Sequence, residues 1–288
     1  MSLADLLGFA VGALRGHRVR TWLTLVGVAI GVAAVVILTA LGDGARRYVM
    51  GQFESLGSNL LVVVPGKTET TGGAVAMSVT TRDLTLADAE AVARRVPEAA
   101  RVAPMMMGSE TVAHEDRRRQ VVVVGTTAEF LALHHLRMGR GEFLPPGDLR
   151  RGEAVAVLGP TVASEILPGD DLLGKIVRIG DVRARVIGIL APQGTQLGLD
   201  FDEIVMLPVG RAMRLFNRRS LFRILIDVHA YADLAVAKDH VGAVLRARHD
   251  GEEDVTLVTQ DAVLSSFGKI LQTLTLAVAA IAAVSLAV

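Results

Sequence analysis

The residues most suggestive of chemistry are the run Gly-Lys-Thr at 66–68, which follows the apolar stretch Leu60–Pro65. A strand followed by Gly-Lys-Thr is how a nucleotide-binding P-loop ends, and such a loop holds phosphates with its lysine and its backbone N–H groups. A P-loop needs another glycine five residues before its last glycine, and Leu61 occupies that position. Pro65 also lacks the N–H that a phosphate-binding loop requires. We therefore interpret Leu60–Pro65 as a structural strand and not as part of a nucleotide site.

A second candidate is the cluster His114, Glu115 and Asp116, whose side chains are of the types that bind metals or transfer protons. Three arginines follow at Arg117–Arg119, and such a run could attract an anion or a lipid headgroup. The stretch "EDRRR" is predicted to form the turn of a hairpin, where charged residues are expected to face water. We interpret both groups as solvated residues at a hairpin tip.

Two further groups combine residue types that can bind ligands. His134 and His135 are adjacent, and neighbouring residues of a helix or strand point in different directions, so the two are not expected to hold one ion together. Met105–Met107 could bind a soft metal, but alternate residues of a strand face opposite sides, which favours packing in the core. We predict structural roles for both groups.

The rest of the sequence gives no indication of enzyme chemistry. It contains no G-x-S-x-G, H-E-x-x-H or kinase signature. Cysteine is absent, which excludes disulfides, zinc–thiolate sites and cysteine nucleophiles. The 30 basic and 30 acidic residues balance, so the net charge does not indicate a nucleic-acid partner. We expect no catalytic, cofactor-binding or metal-binding residues, and no cofactor, in this chain.

The chain is more apolar than a soluble protein of ordinary composition. Of its 288 residues, 51% are hydrophobic, and the mean hydropathy is +0.45. The stretch Thr21–Leu41 holds 21 residues without a charge, and as a helix it would span roughly 31 Å, about the thickness of a hydrocarbon core. A cleaved signal peptide is the alternative, but its apolar core is shorter, about 7–15 residues. We predict a transmembrane helix at residues 21–41.

The flanks of this segment predict its orientation and its surroundings. Three arginines precede it and two follow it, a small excess that favours a cytoplasmic N-terminus. Residues 1–20 carry apolar side chains at helical spacing and are predicted to form a cytoplasmic amphipathic helix on the membrane lipid. Gly27 and Gly31 form a G-x-x-x-G motif that can bring two helices close together, although glycine is also common in membrane helices. We keep these two glycines as a candidate helix-packing site.

A second apolar segment closes the sequence. Ile270–Val288 holds 19 residues without a charge, and no polar flank follows it. We interpret residues 268–288 as the start of a second transmembrane helix, which implies that the chain is the front part of a longer protein.

The residues between the two apolar segments, 42–267, are predicted to form a large extracytoplasmic α+β domain with two subdomains. The Gly-, Pro- and charge-rich stretch Arg137–Gly152 is a candidate boundary between the subdomains. At the start of the domain, Val49, Phe53 and Leu56 recur at helical spacing. The membrane helix is therefore expected to project out of the bilayer, to bury these three side chains on one face, and to stop near Gly57.

Strands and helices alternate along this domain. Thr85 and Asp88 form a capping box that predicts a helix at 86–96, and Gly180-Asp181 is a predicted hairpin turn. Two more helices are predicted in "PTVASEIL" and "ADLAVAKDHVGAVLRARH". The predicted strands are Leu60–Pro65, Arg101–Met107, Ser109–His114, Gln120–Gly125, "GEAVAVLG", both arms of "KIVRIGDVRARVIGIL", "EIVMLP", "LFRILIDV" and "DVTLVT".

Several of these stretches, taken together and in order, resemble the MacB-like permease family of ABC transporters, close to the FtsX and lipoprotein-releasing permeases. The first two matching stretches are the predicted membrane helix "RTWLTLVGVAIGVAAVVILTALGDGAR" and the strand "LGSNLLVVVPG". The other stretches are "LTLADAEAV", "VVVVGTTAEF", "GRGEFLPPGD", "AVAVLGPTVASEIL" and "LLGKIVRIGDVRARVIGIL". They cover most of residues 18–268, and their combination is more specific than any one of them.

The resemblance implies a multi-pass bacterial inner-membrane permease with a periplasmic or extracellular domain, acting as a homodimer or as a related pair. It implies a separate ATPase subunit or an ATPase that lies outside these residues, because they hold no complete P-loop, and it allows a periplasmic adaptor protein as a further partner. ATP-driven movements at the cytoplasmic face would then reach the outer domain through the membrane helices and drive export. Two alternatives stay open, a non-transporting FtsX-type regulator of a cell-wall hydrolase and a membrane-anchored binding or sensor domain.

Overall fold

The computed structural model describes residues 18–54, 59–66, 82–167, 169, 172–196, 198–259, 265, 268–270, 272–277 and 280. Its first element is the helix α1 (Arg18–Glu54), whose 37 residues span about 55 Å at 1.5 Å per residue. Within it, Leu25–Ala45 is long and apolar enough to cross a membrane. The apolar helix and its continuation to Glu54 agree with the sequence prediction. The predicted amphipathic helix, apart from residues 18–20, lies outside the described residues.

Two other predictions also fall partly outside the described residues. The side chains of Val49 and Phe53 are not among those described, and neither are Leu56 and Gly57, so the proposed buried face on α1 stays a prediction. In the second apolar segment, residues 268–270 and 272–277 are helical. Among the residues that the structure describes, α1 alone is long and apolar enough for a membrane span.

Residues Gln52–Gln260 form a compact unit of their own, built from twelve strands and five helices within the described part of the chain. The strands are β1 (Leu60–Pro65), β2 (Ala99–His114), β3 (Arg117–Thr126), β4 (Met138–Gly141), β5 (Val155–Leu158), β6 (Ile176–Ile179), β7 (Val182–Leu190), β8 (Thr195–Gln196), β9 (Leu199–Asp200), β10 (Ile204–Pro208), β11 (Arg223–Val228) and β12 (Val255–Thr259). The helices are α2 (Leu86–Arg95), α3 (Glu129–Leu133), α4 (Pro160–Ile166), α5 (Val209–Leu215) and α6 (Leu234–Arg248), with a 3-10 turn at Phe201–Glu203.

The first lobe of this unit is an open antiparallel sheet with two helices. Its strand order is β12-β1-β11-β2, and each neighbouring pair is antiparallel. Along the chain the order is β1, α2, β2, then β11, α6, β12, which makes two β-α-β units whose strands interleave in one sheet. The helices α2 and α6 contact each other. The N-terminus of α2 carries the predicted capping box, which is confirmed, and Asp233 caps α6 by accepting the backbone N–H of Ala235 at 2.8 Å.

The second lobe is a ring of strands inserted between β2 and β11. Its order is β2-β3-β10-β5-β7, and β6 pairs with both β7 and β2, which closes the ring into a six-stranded barrel. β4 is added outside the ring through β7. β3 and β10 run parallel, whereas β2 and β3 form an antiparallel hairpin. This ring is called the barrel lobe below.

The two lobes share one strand, and this corrects two predictions. β2 is continuous from Ala99 to His114, with its first half paired to β11 and its second half to β3. The predicted interruption at Gly108 is therefore wrong. Glycine fits this position of the strand because a Cβ there would come within 2.4 Å of the Phe216 ring. The predicted boundary at Arg137–Gly152 is also wrong, because strand pairing changes partners within β2 and that stretch lies inside the barrel lobe.

The β2–β3 hairpin corrects the prediction for the three arginines. Its turn is only Glu115-Asp116, with Glu115 at φ 52°, and the arginines are the first residues of β3, opposite Val112–His114. Arg117 and Arg118 are exposed as predicted. Arg119 instead forms salt bridges with Glu165 at 2.6 Å and Glu203 at 2.9 Å. It therefore links the hairpin to α4 and to the 3-10 turn.

The strands of both lobes are buried on two faces, which gives two apolar cores. The first core lies between the first-lobe helices and sheet and continues into the barrel, with Leu61, Val92 and Val241 among its fully buried members. The second core lies on the opposite face, beneath α3, and contains Phe130 and Phe201. The three methionines alternate between the cores as predicted, since Met105 and Met107 pack in the second core and Met106 in the first.

The second core also contains one of the two adjacent histidines. His134 is 2% exposed and its ring lies 4.3 Å from the Phe130 ring and 5.4 Å from the Phe201 ring, while His135 is exposed at φ 47°. The two side chains do not share a site, as predicted. Neither ring nitrogen of His134 has a hydrogen-bond partner among the described residues. Burial, followed by the positive charges of Arg223 and His135, lowers the pKa of His134 to about 3.

His134 should make the stability of the protein depend on pH. Its pKa in the folded chain lies below the unfolded value of 6.5, so the unfolded state binds more protons and stability falls as the pH drops below 6.5. The expected loss between pH 8 and pH 5 is about 2 kcal/mol of unfolding free energy. Urea unfolding followed by circular dichroism at both pH values measures it. His134→Leu should lose this share of the pH dependence, and equal pH dependence in both proteins would contradict the assignment.

Candidate coupling site

The first and the last strand of the compact unit Gln52–Gln260 lie side by side. The chain enters β1 at Leu60, shortly after α1, and it leaves β12 at Thr259, shortly before the second apolar segment. β1 and β12 are antiparallel neighbours, and Leu61 pairs with Thr259. The chain therefore enters β1 and leaves β12 at the same end of this strand pair. β1 is apolar, as the sequence predicted, and it is buried between β11 and β12.

The opposite end of this strand pair is held by a set of hydrogen bonds around Gly66. Its backbone N–H donates to the carbonyl of Asp254 at 2.8 Å, and its carbonyl accepts the Thr256 hydroxyl at 2.6 Å. Gly66 has φ 105°, a conformation that residues with a side chain rarely adopt. The glycine that resembled part of a P-loop thus ends a strand and joins it to β12.

A buried Asp–His–Asp cluster lies beside this end and consists of Asp88, His249 and Asp254. Their residues are 2%, 3% and 5% exposed, respectively. Nδ1 of His249 lies 2.5 Å from Oδ1 of Asp254, and its Nε2 lies 3.5 Å from Oδ2 of Asp88. Nε of Arg248 donates to Oδ1 of Asp88 at 2.6 Å. The cluster joins the start of α2, the end of α6 and the residue that precedes β12.

The charge of Asp88 is stabilised by several donors. The backbone N–H and the hydroxyl of Thr85 donate to its Oδ2 at 2.8 Å and 2.6 Å. Burial opposes ionisation of the Asp88 carboxyl, but the hydrogen bonds from Thr85 and Arg248 outweigh it, and the pKa of Asp88 lies below its usual value. The carboxylate also lies in the first turn of α2, where the helix dipole favours a negative charge.

The cluster connects three elements of the first lobe. Within the described residues no group of three or more His, Asp and Glu could hold a metal. The cluster links α2 and α6 to β12 and so to the strand pair β1–β12.

The hairpin residues singled out in the sequence belong to the barrel lobe and not to this site. His114 ends β2, and its Nδ1 lies 2.9 Å from the carbonyl of Ile176, which joins the hairpin to β6. Glu115 and Asp116 are exposed at the turn. Gly27 and Gly31 lie one turn apart on α1 and are partly buried. Their role in helix packing stays a prediction.

Sequence reasoning missed His249 and Asp254 and recognised only the capping role of Asp88. His249 lies at the C-terminal cap of α6, a common place for a histidine. The contact between Arg248 and Asp88 joins positions 160 residues apart. Only the interleaving of the two β-α-β units brings these positions together, so no local pattern indicates the site.

An apolar helix that precedes a two-lobed α/β domain is typical of proteins with a membrane-anchored outer domain. The model of the family described as the MacB-like periplasmic core domain matches residues 21–244. The chain belongs to this family. Together with α1, this makes it a membrane-anchored protein with an extracytoplasmic domain.

Two similar proteins match the chain over nearly its whole length. The chain is 36% identical to a macrolide export ATP-binding/permease protein MacB of Rhodospirillum rubrum, over 100% of this chain and 44% of that protein. It is 34% identical to a pyoverdine export ATP-binding/permease protein PvdT of Pseudomonas entomophila, over 94% of this chain and 41% of that protein. The chain thus spans less than half the length of these relatives.

Two solved structures share the fold. The periplasmic region of MacB from Actinobacillus actinomycetemcomitans matches with a TM-score of 0.64 at 17% identity, covering 77% of this chain and 98% of that one. The extracellular domain of the ABC-type transporter YknZ from Gram-positive bacteria matches with a TM-score of 0.58 at 14% identity, covering 70% of this chain and 100% of that one. At these identities the likeness concerns the fold alone.

Proposed function

We propose that this chain is part of the permease of an ABC exporter, in which ATP hydrolysis on the cytoplasmic side moves the extracytoplasmic domain. The observation that carries the proposal is the pairing of β1 with β12, because both connections to the apolar segments leave from one end of these strands. A relative movement of two membrane helices would act on this strand pair first. The buried Asp–His–Asp cluster would pass the movement to α2 and α6.

The partners follow from the same proposal. An ATPase, either a separate subunit or a domain outside these 288 residues, supplies the nucleotide chemistry, since the relatives are named ATP-binding/permease proteins and the Gly-Lys-Thr run here lacks the P-loop glycine. The permease acts as a homodimer or as a related pair, a periplasmic adaptor binds the outer domain, and residues 1–20 lie on membrane lipid. In the resulting multi-pass topology, residues 21–41 and 268–288 span the inner membrane and residues 42–267 lie outside.

The exporter is preferred to the regulator and sensor alternatives on the evidence of the relatives. Both relatives described above are named for export, one of a macrolide and one of pyoverdine. The cargo of this chain is proposed only as a compound exported across the inner membrane.

One labelling experiment tests both the topology and the coupling. The 288 residues contain no cysteine, so Gly147→Cys introduces the only thiol of this part of the permease, at an exposed site where an added side chain contacts nothing within 4 Å. Any cysteine outside these residues is replaced by serine. In sealed spheroplasts that express the complete permease with its ATPase, an impermeant fluorescent maleimide should label position 147 from outside. A matched Ser2→Cys variant should react only after lysis. Labelling of position 2 alone would invert the proposed topology.

The same labelled protein then reports on coupling. In proteoliposomes, ATP supplied on the ATPase side should change the fluorescence at position 147 as the outer domain moves. An ATPase that binds ATP without hydrolysing it should hold the signal in one state and abolish the cycle. Label that is accessible from outside but insensitive to ATP would contradict mechanical coupling while leaving the topology intact.

A further inference from the structure

A row of cations lies on the outer surface of the barrel lobe, where four strands run side by side. Arg118 of β3 lies opposite Ala113 of β2, and Ala113 in turn lies opposite Arg178 of β6. The last position of the row is Arg183 of β7, opposite Arg178. Residues that are directly opposite in a sheet point to the same face. Val112, next to Ala113, is buried in the barrel, so the row faces outward.

A fourth arginine extends this surface along β7. Arg185 lies two residues beyond Arg183 and therefore on the same face, and it is opposite Ile176 of β6. All four arginines are exposed, and Ile176 is 56% exposed. These four residues, Arg118, Arg178, Arg183 and Arg185, are called the arginine face below.

The charges of the arginine face are not neutralised by nearby carboxylates. Within the part of the chain that the structure describes, the four side chains form no ion pair and no hydrogen bond. Glu115 and Asp116, the carboxylates of the adjacent hairpin turn, form no ion pair with these arginines. The chain as a whole holds 30 basic and 30 acidic residues, so the excess of positive charge on this face is local.

The arrangement of charges differs from that at the other end of the same strand. Arg101 of β2 lies opposite Asp227 of β11, and the two form an ion pair at 2.7 Å. Arg178 and Arg183 instead place two like charges opposite each other, an arrangement that destabilises a sheet. A bound anion would remove this repulsion, which the described residues of the chain leave in place.

The spacing of the arginine face fits an extended acidic peptide. Neighbouring strands are about 4.8 Å apart, so three steps across the sheet separate Arg118 from Arg183 by at most about 14 Å. Alternate side chains of an extended peptide repeat at about 6.8 Å, so carboxylates four residues apart reach both ends of this row. Each guanidinium can bind a carboxylate through two parallel hydrogen bonds. A single phosphate ion is too small to span the row.

The arginine face lies far from the strand end at which the chain enters the compact unit. Leu60, the first residue of β1, pairs with Asp227, which pairs with Arg101 of β2. Ala113 lies further along β2, and the distance along the strand from Arg101 is up to about 40 Å at 3.3 Å per residue. Because the apolar helix α1 precedes β1, a soluble partner fits this remote face better than a lipid surface does.

We propose that the arginine face binds an extended, acidic segment of another protein. Carboxylates of the segment pair with the four arginines, and an apolar side chain between them packs on Ile176. The four cations are all arginine, which protein interfaces favour over lysine. The interaction needs neither ATP nor export, so its test is independent of the proposed function.

The test compares two fluorescent octapeptides that differ in charge, one of alternating Glu and Ala and one of alternating Gln and Ala. The full chain is placed in phosphatidylcholine nanodiscs, and fluorescence anisotropy at low salt follows the binding of each peptide, with empty nanodiscs as background. The acidic peptide should bind saturably and at least tenfold more tightly than the neutral one, and added salt should weaken it severalfold. Equal binding of both peptides, or binding of neither, overturns the proposal.

Substitutions then assign the binding to the arginine face. Arg178→Gln with Arg183→Gln should weaken the acidic peptide at least tenfold without lowering the urea midpoint, because the pair removed is repulsive. Arg94→Gln with Arg95→Gln is the matched control, since it removes the same charge from exposed positions of α2 and should leave binding nearly unchanged. Equal weakening by the two pairs would assign binding to net charge, and full binding after the first pair would place the peptide elsewhere. Either result overturns the proposal.

Two further measurements distinguish other occupants of the arginine face. Phosphatidylglycerol vesicles should displace the acidic peptide less effectively, charge for charge, than unlabelled peptide does. Sedimentation velocity in detergent should give the same mass for the wild-type chain and for the Arg178→Gln, Arg183→Gln variant. More effective displacement by the vesicles would assign the face to lipid, and a lower mass of the variant would assign it to a second copy of the chain. Each of these outcomes overturns the proposal.

Discussion

Replacing Asp88 with alanine is expected to lower the free energy of unfolding by about 3–5 kcal/mol, the usual cost of removing one partner from a buried ion pair. Asp88 is 2% exposed and is contacted by Arg248 at 2.6 Å and by both donor groups of Thr85. Its removal leaves the buried His249 ring with one carboxylate and takes away the capping box of α2. For a domain of this size the melting temperature should fall by about 6–20 °C.

Asp239→Ala is the matched control for this prediction. Asp239 is an exposed aspartate on α6, and its removal should change the unfolding free energy by less than about 0.5 kcal/mol. Thermal and urea unfolding of the full chain in detergent, followed by far-UV circular dichroism, compares the two variants. Equal stability of Asp88→Ala and Asp239→Ala would show that the cluster does not hold α2 and α6 to the strand pair.

The same variant separates the structural from the coupling role of the cluster. If the cluster passes movement from β1 and β12 to the helices, Asp88→Ala should reduce the ATP-dependent signal at position 147 under conditions where the variant is still folded. Asp88→Asn keeps an acceptor for the Thr85 N–H and removes the charge, so it should be less destabilised. A full ATP-dependent signal in folded Asp88→Ala would restrict the cluster to a role in stability.

The sequence predicted those parts of the fold that depend on local patterns. The apolar helix, the strands of the first lobe and the capped helix at Leu86–Arg95 were all predicted, because hydrophobic periodicity and capping residues act over a few positions. The interpretation that Gly-Lys-Thr is not part of a P-loop also rested on local residues, the leucine at 61 and the proline at 65. Short elements such as α3, β4 and α5 were missed, since they are 4–7 residues long and are stabilised by packing.

Long-range pairing accounts for what the sequence could not predict. β2 is divided between two lobes by the partners it finds, and Gly108 and the methionines around it give no local sign of that division. Arg119 looked like a solvated residue because its two carboxylate partners lie at positions 165 and 203. The candidate coupling site is likewise assembled from segments far apart in the chain.

Replacing Phe130 with alanine is expected to cost about 3–5 kcal/mol, the usual range for a fully buried aromatic side chain. Phe130 is 0% exposed, and its ring lies 4.3 Å from His134 and 6.3 Å from Phe201. It also holds α3, whose five residues are too few to form a stable helix alone. Urea unfolding at pH 8 measures this effect without a contribution from protonation of His134.

The pH dependence shows whether water enters the space that the Phe130 ring leaves. If removal of the Phe130 ring admits water, the pKa of His134 should rise toward 6.5, and the loss of stability between pH 8 and pH 5 should shrink below the wild-type value of about 2 kcal/mol. Phe222→Ala, at a phenylalanine that is 47% exposed, should leave that pH dependence unchanged and cost much less at pH 8. Equal costs for the two substitutions would mean that the ring of Phe130 does not organise this core.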